Sequence, residues 1–453
     1  MAGRYKAYSE YKDSGITWTG QVPSHWSLVR FKHVLAEKKK TSNPSLPAGS
    51  ISFGEVIYKS DETISPETKA SYQEVLKGEF LVNPLNMNYD LLSLRTALSS
   101  IDVVVSTGYI VLRSNARLNP RYARWLLQEF DVAHMKTLGS GVRQTINYTD
   151  IGNSFFFEVP ESEQKQIAQF LDHETGKIDA LIEKQQALIA LLQEKRQAVI
   201  SHAVTKGLTP EARMKDSGVE LLGQIPTHWE TNKFRYLFNL GKGLTITKEN
   251  LRESGVPCVN YGEVHSKYGF EVDPGRHPLK CVSEQYILSS ANAQLTEGDL
   301  IFADTSEDLE GAGNFTQLVS NCPLFAGYHT IIARPVSGNA NRFLAYLLDS
   351  PTYRTQIRLA VKGVKVFSVT QAILRGTDVW LPPLDEQTQI AQFLDHEIAK
   401  IDQLIEKAEY AIELMQERRT ALISAAVTGK IDVRDWEPAP EAQGNVKGED
   451  DEE

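Results

Sequence analysis

The nine residues from Gln166 to Glu174 read QIAQFLDHE, and the same nine letters return from Gln389 to Glu397. The likeness runs further. EQKQIAQFLDHETGKIDALIEK begins at Glu163 and EQTQIAQFLDHEIAKIDQLIEK at Glu386, an offset of 223 that holds for about forty residues without a gap. Upstream, DSGITWTGQVPSHW starts at Asp13 and DSGVELLGQIPTHW at Asp216, an offset of 203. Weaker echoes lie between: Lys77-Gly78-Glu79-Phe80-Leu81-Val82 with Glu297-Gly298-Asp299-Leu300-Ile301-Phe302, and Thr107-Gly108-Tyr109 with Ala326-Gly327-Tyr328. A chain that writes one unit twice is constrained to fold as two copies of it. Each unit is a divergent stretch followed by a strongly repeated segment.

The repeated segment has the period of a helix. Leu171, Ile178, Gln185, Leu192 and Val199 recur every seven residues, and Leu181 and Leu188 fall three after Ile178 and Gln185. Leu394, Ile401, Ala408, Met415 and Leu422 repeat the series, with Leu404 three after Ile401. Charged and amide side chains fill the other faces, the pattern of a coiled-coil stripe. Pro160 and Pro382-Pro383 precede the helices, and Gly207 and Gly429 follow them. A helix of about 40 residues spans roughly 60 Å. Alone it leaves its stripe in water; two copies in one chain can bury each other's. With a globular domain between them, an antiparallel pair is the easiest arrangement, and polar Gln185 helps set its register.

The divergent stretches are mixed. FLVNPLN, VVVSTGYIVLR, PCVNYGEV and HTIIARP read as short strands. PRYARWLLQEF and NRFLAYLLDS read as helices, with apolar residues three to four apart. The expected fold class is α+β: two pseudo-repeated domains on twisted, largely antiparallel sheets, separated by two long antiparallel coiled-coil helices. The expected boundaries are 1–158 and 208–381 for the domains, 159–207 and 382–430 for the helices, and 431–453 for an acidic, disordered tail.

The net charge of −10 argues against a nucleic-acid partner until it is located. The chain carries −10, but residues 435–453 hold eight acids and one lysine and so account for −7 of it. The two large stretches are near neutral or slightly basic, which permits a local DNA-binding face. Three widely spaced cysteines, Cys258, Cys281 and Cys322, form no CxxC or disulfide framework. They read as buried or inert thiols. With no apolar run long enough to span a bilayer and no apolar leader, the expectation is a cytoplasmic protein without a membrane partner.

Catalytic signatures are missing. No GxxxxGK precedes a Ser or Thr, and no GxSxG or HExxH occurs. Asn83-Pro84-Leu85-Asn86 begins like the amino-methyltransferase motif but lacks its second proline and the aromatic that holds a flipped base. Asp299, Asp304, Glu307, Asp308 and Glu310 cluster in sequence, and a solvated loop explains them better than a metal site. No catalytic or metal-ligating residue is assigned.

The doubled EQ-x-QIAQFLD-x-E segment and the doubled GQVPSHW/GQIPTHW lead-in, at this spacing, make the chain resemble the specificity subunit of type I restriction-modification systems over nearly its whole length. The resemblance implies two target-recognition domains, each reading one half of a split double-stranded DNA site. The two helices act as a ruler between them. It implies a non-catalytic subunit that docks two methyltransferase subunits, with two translocase/nuclease subunits joining for restriction. S-adenosylmethionine, ATP and Mg would belong to those partners and not to this chain. The acidic tail departs from the pattern.

Against that expectation, several polar segments are candidates for DNA contact, each with an ordinary surface loop as the alternative. Gly139 to Gln144 and Val361 to Ser368 are glycine-containing loops at matching places late in each domain. Arg143 and Gln144 suit guanine and adenine edges, and Lys362 and Lys365 suit phosphates. Gly241 to Lys248 is a third, offering Lys242, Thr245 and Lys248. Asn86, Asn88 and Arg95 follow a strand in the first domain. Pro23, His25 and Trp26, with Pro226, His228 and Trp229, are repeated in both domains, which favours packing or docking over sequence reading. His173 and His396, repeated on the helices, read as structural or partner contacts. Leu171, Ile178, Leu181, Leu192, Leu394, Ile401, Leu404 and Met415 are expected to pair the helices or dock partners.

Overall fold

The computed structural model describes residues 5–52, 54–85, 94–138, 145–363 and 365–438. It divides into two compact units, one made of residues 1–185 and 410–453, the other of residues 186–409. Each unit holds one divergent domain together with a length of both long helices, which run Glu161–Lys206 and Leu384–Val427. The units therefore cut across the expected linear boundaries.

The first domain is built on a six-stranded sheet. Its order is Leu35–Glu37, Ile110–Ser114, Phe80–Val82, Thr96–Leu98, Glu55–Tyr58, Gly49–Ser52. All neighbours are antiparallel except Glu55–Tyr58 against Thr96–Leu98. VVVSTGYIVLR becomes two strands, Val103–Val105 and Ile110–Ser114, because Thr107-Gly108 breaks it. PRYARWLLQEF is the helix Pro120–Ala133. Pro120 starts it without needing an amide partner, and Asn119 caps it by accepting from the amides of Arg121 and Tyr122. Tyr122, Trp125, Leu126 and Phe130 are buried against the sheet.

The second domain has a five-stranded sheet in the order Phe238–Lys242, Thr330–Pro335, Leu300–Ala303, Phe315–Leu318, Phe270–Val272. A four-stranded sheet orders Cys281–Val282, Val256–Val259, Leu324–Ala326, Gln294–Leu295 beside it. PCVNYGEV is strand only through Val259; Glu263–Lys267 forms a helical turn. NRFLAYLLDS is the helix Asn341–Asp349.

Each domain is tied to the helix that follows it by the repeated residues. Glu163 accepts hydrogen bonds from Trp26 Nε1 at 3.1 Å and His25 Nε2 at 2.9 Å. Glu386 holds Trp229 and His228 in the same way, at 3.2 and 2.7 Å. Asp172 takes Trp125 Nε1 and Arg121; Asp395 takes the Tyr346 hydroxyl and Arg342, all at 2.7–2.8 Å for the first contact of each. Gln164 and Gln387 accept the backbone amides of Asn119 and Ala340 just ahead of the domain helices. The His-Trp pairs are thus packing residues, as their repetition suggested.

Trp26 also meets the other helix. A Cβ on Gly429 would lie 2.4 Å from Pro23 Cδ and 2.9 Å from Trp26 Cη2, and Gly429 has φ +73°. In the second unit Gly207, φ +77°, sits against Trp229 and Glu386. In each unit, then, the start of one helix and the end of the other meet at one tryptophan, so the two run antiparallel there. The glycines stop the helices in a left-handed conformation that favours glycine, and their lack of a Cβ admits the indole.

The heptad reading needs one correction. Leu171, Ile178, Leu192, Leu394 and Ile401 are buried, and Met415 is half-buried, as expected. Leu181 and Leu404, placed in the seam by the +3 spacing, are each 50% exposed. The companion seam position is +4: Ile182, Ile189 and Arg196 on the first helix, Ile405, Ile412 and Arg419 on the second. A period of seven admits either companion, and the partner helix selects one.

The tail expectation is also corrected at its start. Ile431 and Val433 are buried, and residues 431–436 pack on the first unit; residues 439–453 lie outside the described residues. No helix among the described residues is long and apolar enough to cross a membrane.

Candidate nucleic-acid interface

In the second domain the strand Phe238–Lys242 leaves its sheet at Lys242 and turns at Gly243. A Cβ there would lie 2.0 Å from the Gly327 carbonyl and 2.2 Å from Thr330 Oγ1, so glycine is required. The backbone then clips to the Ala326-Gly327-Tyr328 turn, Leu244 N to Ala326 O at 2.8 Å and Gly243 N to Thr330 O at 3.2 Å. Opposite runs the segment Ser368–Ala372, held by Gln371 Nε2 to Gly241 O at 3.0 Å and Val369 N to Asp304 O at 2.8 Å. Between the two opens a cavity of about 640 Å³. Lys242, Thr245, His329, Ser368 and Gln371 are among its lining residues.

The candidate segment Gly241–Lys248 thus forms one wall of the cleft, and the candidate segment Val361–Ser368 reaches the other through its last residue, Ser368. Lys242 and Thr245 line it, with Lys248 exposed on the turn beyond. Lys362 and Lys365 are exposed on the loop that leads to Ser368. None of these four lysines makes an ion pair among the described residues, so their charge is available to an anion. At the rim His329 adopts φ +55°, a left-handed conformation rare outside glycine, and its Nδ1 lies 3.2 Å from Asp304.

In the first domain Arg143, Gln144, Asn86 and Asn88 lie outside the described residues. The residues flanking them are informative. Leu85 bridges Thr145, and Ile146 N donates to Pro84 O at 3.0 Å, so the described residues next to both segments are clipped together. The second domain has the same clip at the repeat-equivalent positions, where Thr305 pairs with Ser368.

Arg95 is not a surface contact. It is 5% exposed, and its Nε pairs at 2.9 Å with the fully buried Asp131 on the helix Pro120–Ala133. Its guanidinium is used by the core. The acidic cluster disperses too: Asp299 is buried against Arg334 Nε at 3.2 Å, Asp304 faces His329, and Asp308 caps the Gly311 amide. Among the described residues no group of His, Cys, Asp and Glu is arranged to hold a metal ion. Cys258 and Cys281 are buried and Cys322 is exposed. Burial beside Glu263 pushes the Cys258 thiol up to about 12, which keeps it protonated and unreactive.

One basic run was missed. Lys38-Lys39-Lys40 follows the strand Leu35–Glu37, and the 203 offset puts Lys39 opposite Lys242 and Lys40 opposite Gly243. Lys38 is buried between Glu74 and Glu79, at 3.1 and 3.0 Å. Lys39 is exposed, and Lys40 Nζ donates to Thr107 O at 2.8 Å, on the turn equivalent to Ala326-Gly327-Tyr328. Extending the repeat offset past the His-Trp pair would have found it.

Comparison with known proteins agrees on one family. Residues 226–414 match the model of the type I restriction modification DNA specificity domain. The putative type I restriction enzyme MjaX specificity subunit of Methanocaldococcus jannaschii is 25% identical over 94% of this chain and 98% of its own. The type I restriction enzyme EcoKI specificity subunit of Escherichia coli is 23% identical over 48% of this chain and 46% of its own. A solved chain from work on complex assembly and conformational transition of the type I R-M system has the same fold. It is 14% identical, covers 90% of this chain and 99% of that one, and gives a TM-score of 0.66. Doubled domains, doubled helices and full-length likeness converge: the chain is similar, over nearly its whole length, to specificity subunits of type I restriction-modification systems.

Proposed function

We propose that each divergent domain reads one half of a bipartite DNA site and that the paired helices set the gap between the halves. The observation that carries this reading is the cleft between Lys242–Thr245 and Ser368–Gln371, with Lys242 in its wall making no ion pair among the described residues, and an equivalent backbone clip in the first domain. Glycine at 243 lets backbone approach closely, lysines suit phosphates, and Thr245, Ser368 and Gln371 suit base edges. The parts that must differ between half-sites diverge, while the parts that set distance and hold identical partners repeat.

The coiled-coil helices act in this reading as spacer and as dock for two methyltransferase subunits, with two restriction subunits joining to cleave unmodified DNA. Leu181 and Leu404, repeat-equivalent and half-exposed, offer apolar surface for such docking. S-adenosylmethionine, ATP and Mg are assigned to those partners, and the chain itself is the non-catalytic subunit. The deciding experiment is to co-express the chain with its methyltransferase subunit and map modified bases genome-wide. A single split motif with a fixed gap is expected. A stable complex that modifies no split motif overturns the reading in favour of a scaffold that only assembles partners.

A further inference from the structure

The two copies of QIAQFLDHE are identical in sequence and unlike in burial. In the first unit Phe170 is fully buried, its ring meeting those of Tyr5 and Trp436 edge-on, each at 5.2 Å. The Trp436 ring also lies 5.3 Å from that of His173, and Gln166 Nε2 donates to the Trp436 carbonyl. Tyr5 donates to Glu174 at 3.0 Å, and the Tyr8 hydroxyl donates to Glu163 beside His25 and Trp26. The covering residues come from both ends of the chain.

In the second unit the same residues stand open. Gln389, Phe393 and His396 are exposed, Phe393 at 40%. The 203 offset puts Leu208 and Glu211 where the first unit has Tyr5 and Tyr8, and the chain passes straight on into the strand Met214–Asp216. The Glu386 side chain is 25% exposed where that of Glu163 is 4%. Beside it lies a cleft of about 460 Å³, whose walls include Leu208, Arg213, His228, Glu386 and Gln389.

We propose that Glu386, Gln389, Phe393 and His396 form a docking cradle for an extended segment of a partner subunit bearing two aromatic side chains. A tyrosine hydroxyl donates to Glu386, and an indole or phenyl ring packs edge-on against Phe393. The first unit displays the complement of this surface, because identical residues there accept Tyr8 and Trp436. The chain's own aromatic segments near its two ends are already committed: Val433 is buried, Asp432 N donates to Lys6 O at 2.8 Å, and Arg434 lies over the Tyr8 ring; residues 1–4 and 439–453 carry no aromatic residue. A second copy of the chain has the same aromatic segments committed, so the occupant is a different protein. The inference rests on the reading that methyltransferase subunits assemble on this chain, and it makes the two docking positions unequal, since only one cradle is vacant.

The test uses the full chain with its methyltransferase subunit, comparing wild type with Phe393→Asp by titration calorimetry and native mass spectrometry. Wild type is expected to bind two copies with unequal affinities. Phe393→Asp is expected to weaken one of them by about tenfold or more and to lower the melting temperature far less than Phe170→Asp, because Phe393 is 40% exposed and Phe170 fully buried. A photo-crosslinking residue at position 393 is expected to join the partner at an aromatic-bearing segment. Unchanged binding of both copies by Phe393→Asp overturns the cradle alone, as does a cross-link formed only to a second copy of this chain. A wild-type chain that binds no methyltransferase subunit overturns the cradle and the reading beneath it together.

Discussion

Asp179 on the first long helix accepts two hydrogen bonds from Arg419 on the second, from Nε at 2.8 Å and Nη2 at 3.3 Å. The other unit makes the same pair with the helices exchanged, Arg196 Nε lying 3.4 Å from Asp402. Asp402 is the repeat equivalent of Asp179, and Arg419 of Arg196. Both arginines stand at the +4 seam position, where an aliphatic residue would otherwise sit, so the pair marks register as well as contributing contact. Asp179→Arg alone should weaken the first unit by about 0.5–1 kcal/mol, the range for a partly exposed pair. Asp179→Arg combined with Arg419→Asp should recover most of the loss. A double-mutant cycle from denaturation midpoints reads the coupling, and a coupling near zero refutes the assignment.

Glu163 and Glu386 hold equivalent donors in unequal surroundings. Glu163 faces Tyr8, His25 and Trp26 with its side chain 4% exposed; Glu386 faces His228 and Trp229 with its side chain 25% exposed. Glu163→Ala should cost roughly 2–4 kcal/mol by leaving buried donors unpaired. Glu386→Ala should cost clearly less, because water reaches its site. Urea unfolding of the two variants compares them, and equal losses contradict the burial argument.

Lys242, Lys362 and Lys365 should act on DNA affinity through phosphates. Each Lys→Ala change that removes one contact should flatten the salt dependence of binding by the assembled complex by about 0.9 in the log–log slope. Affinity should fall alike on matched and unmatched DNA. The buried Arg95 serves as contrast: Arg95→Ala should lower the stability of the first unit by stranding Asp131, without a specific change in slope.

The helices as a ruler can be cut. Removing seven residues in phase from both keeps the seam facing its partner and shortens each by about 10 Å. The gap between modified half-sites should shrink by about three base pairs, or binding should be lost. An unchanged gap with full modification refutes the spacer role. Exchanging residues 208–381 for the second domain of another family member should change one half-site only.

Glu129 gives the first unit a pH dependence. It is 7% exposed and accepts from Ser424 Oγ at 2.8 Å. Burial raises its carboxyl above the ordinary carboxylate range, opposed by the Ser424 hydrogen bond. The folded state therefore favours the protonated form. This contribution to stability is full below the unfolded pKa and is lost as pH rises through the folded one. Glu129→Gln keeps an acceptor for Ser424 and removes the buried charge. It should raise the melting temperature at pH 8 and leave it unchanged near pH 4.

The repeat carried a great deal by itself. Two domains, two helices, their boundaries near Pro160 and Gly207, and the structural role of the His-Trp pairs were legible, because duplication exposes what is shared and helical periodicity is a local property. The sequence also marked Gly241–Lys248 and Val361–Ser368 as unusual segments. That the first faces the end of the second across a single cleft depended on strand order, which brings Thr305 to Ser368 and Gln371 to Gly241. Arg95 looked like a surface cation until the helix above it supplied Asp131. Leu181 and Ile182 are equally apolar neighbours, and only the partner helix decides which of the two is buried. The nine repeated residues make the point most directly. Phe170 and Phe393 share every near neighbour in sequence, yet one is sealed by Tyr5 and Trp436 and the other is 40% exposed. Sequence determines which side chains can pack; burial is a property of what arrives from elsewhere in the chain, and only the tertiary structure brings it there.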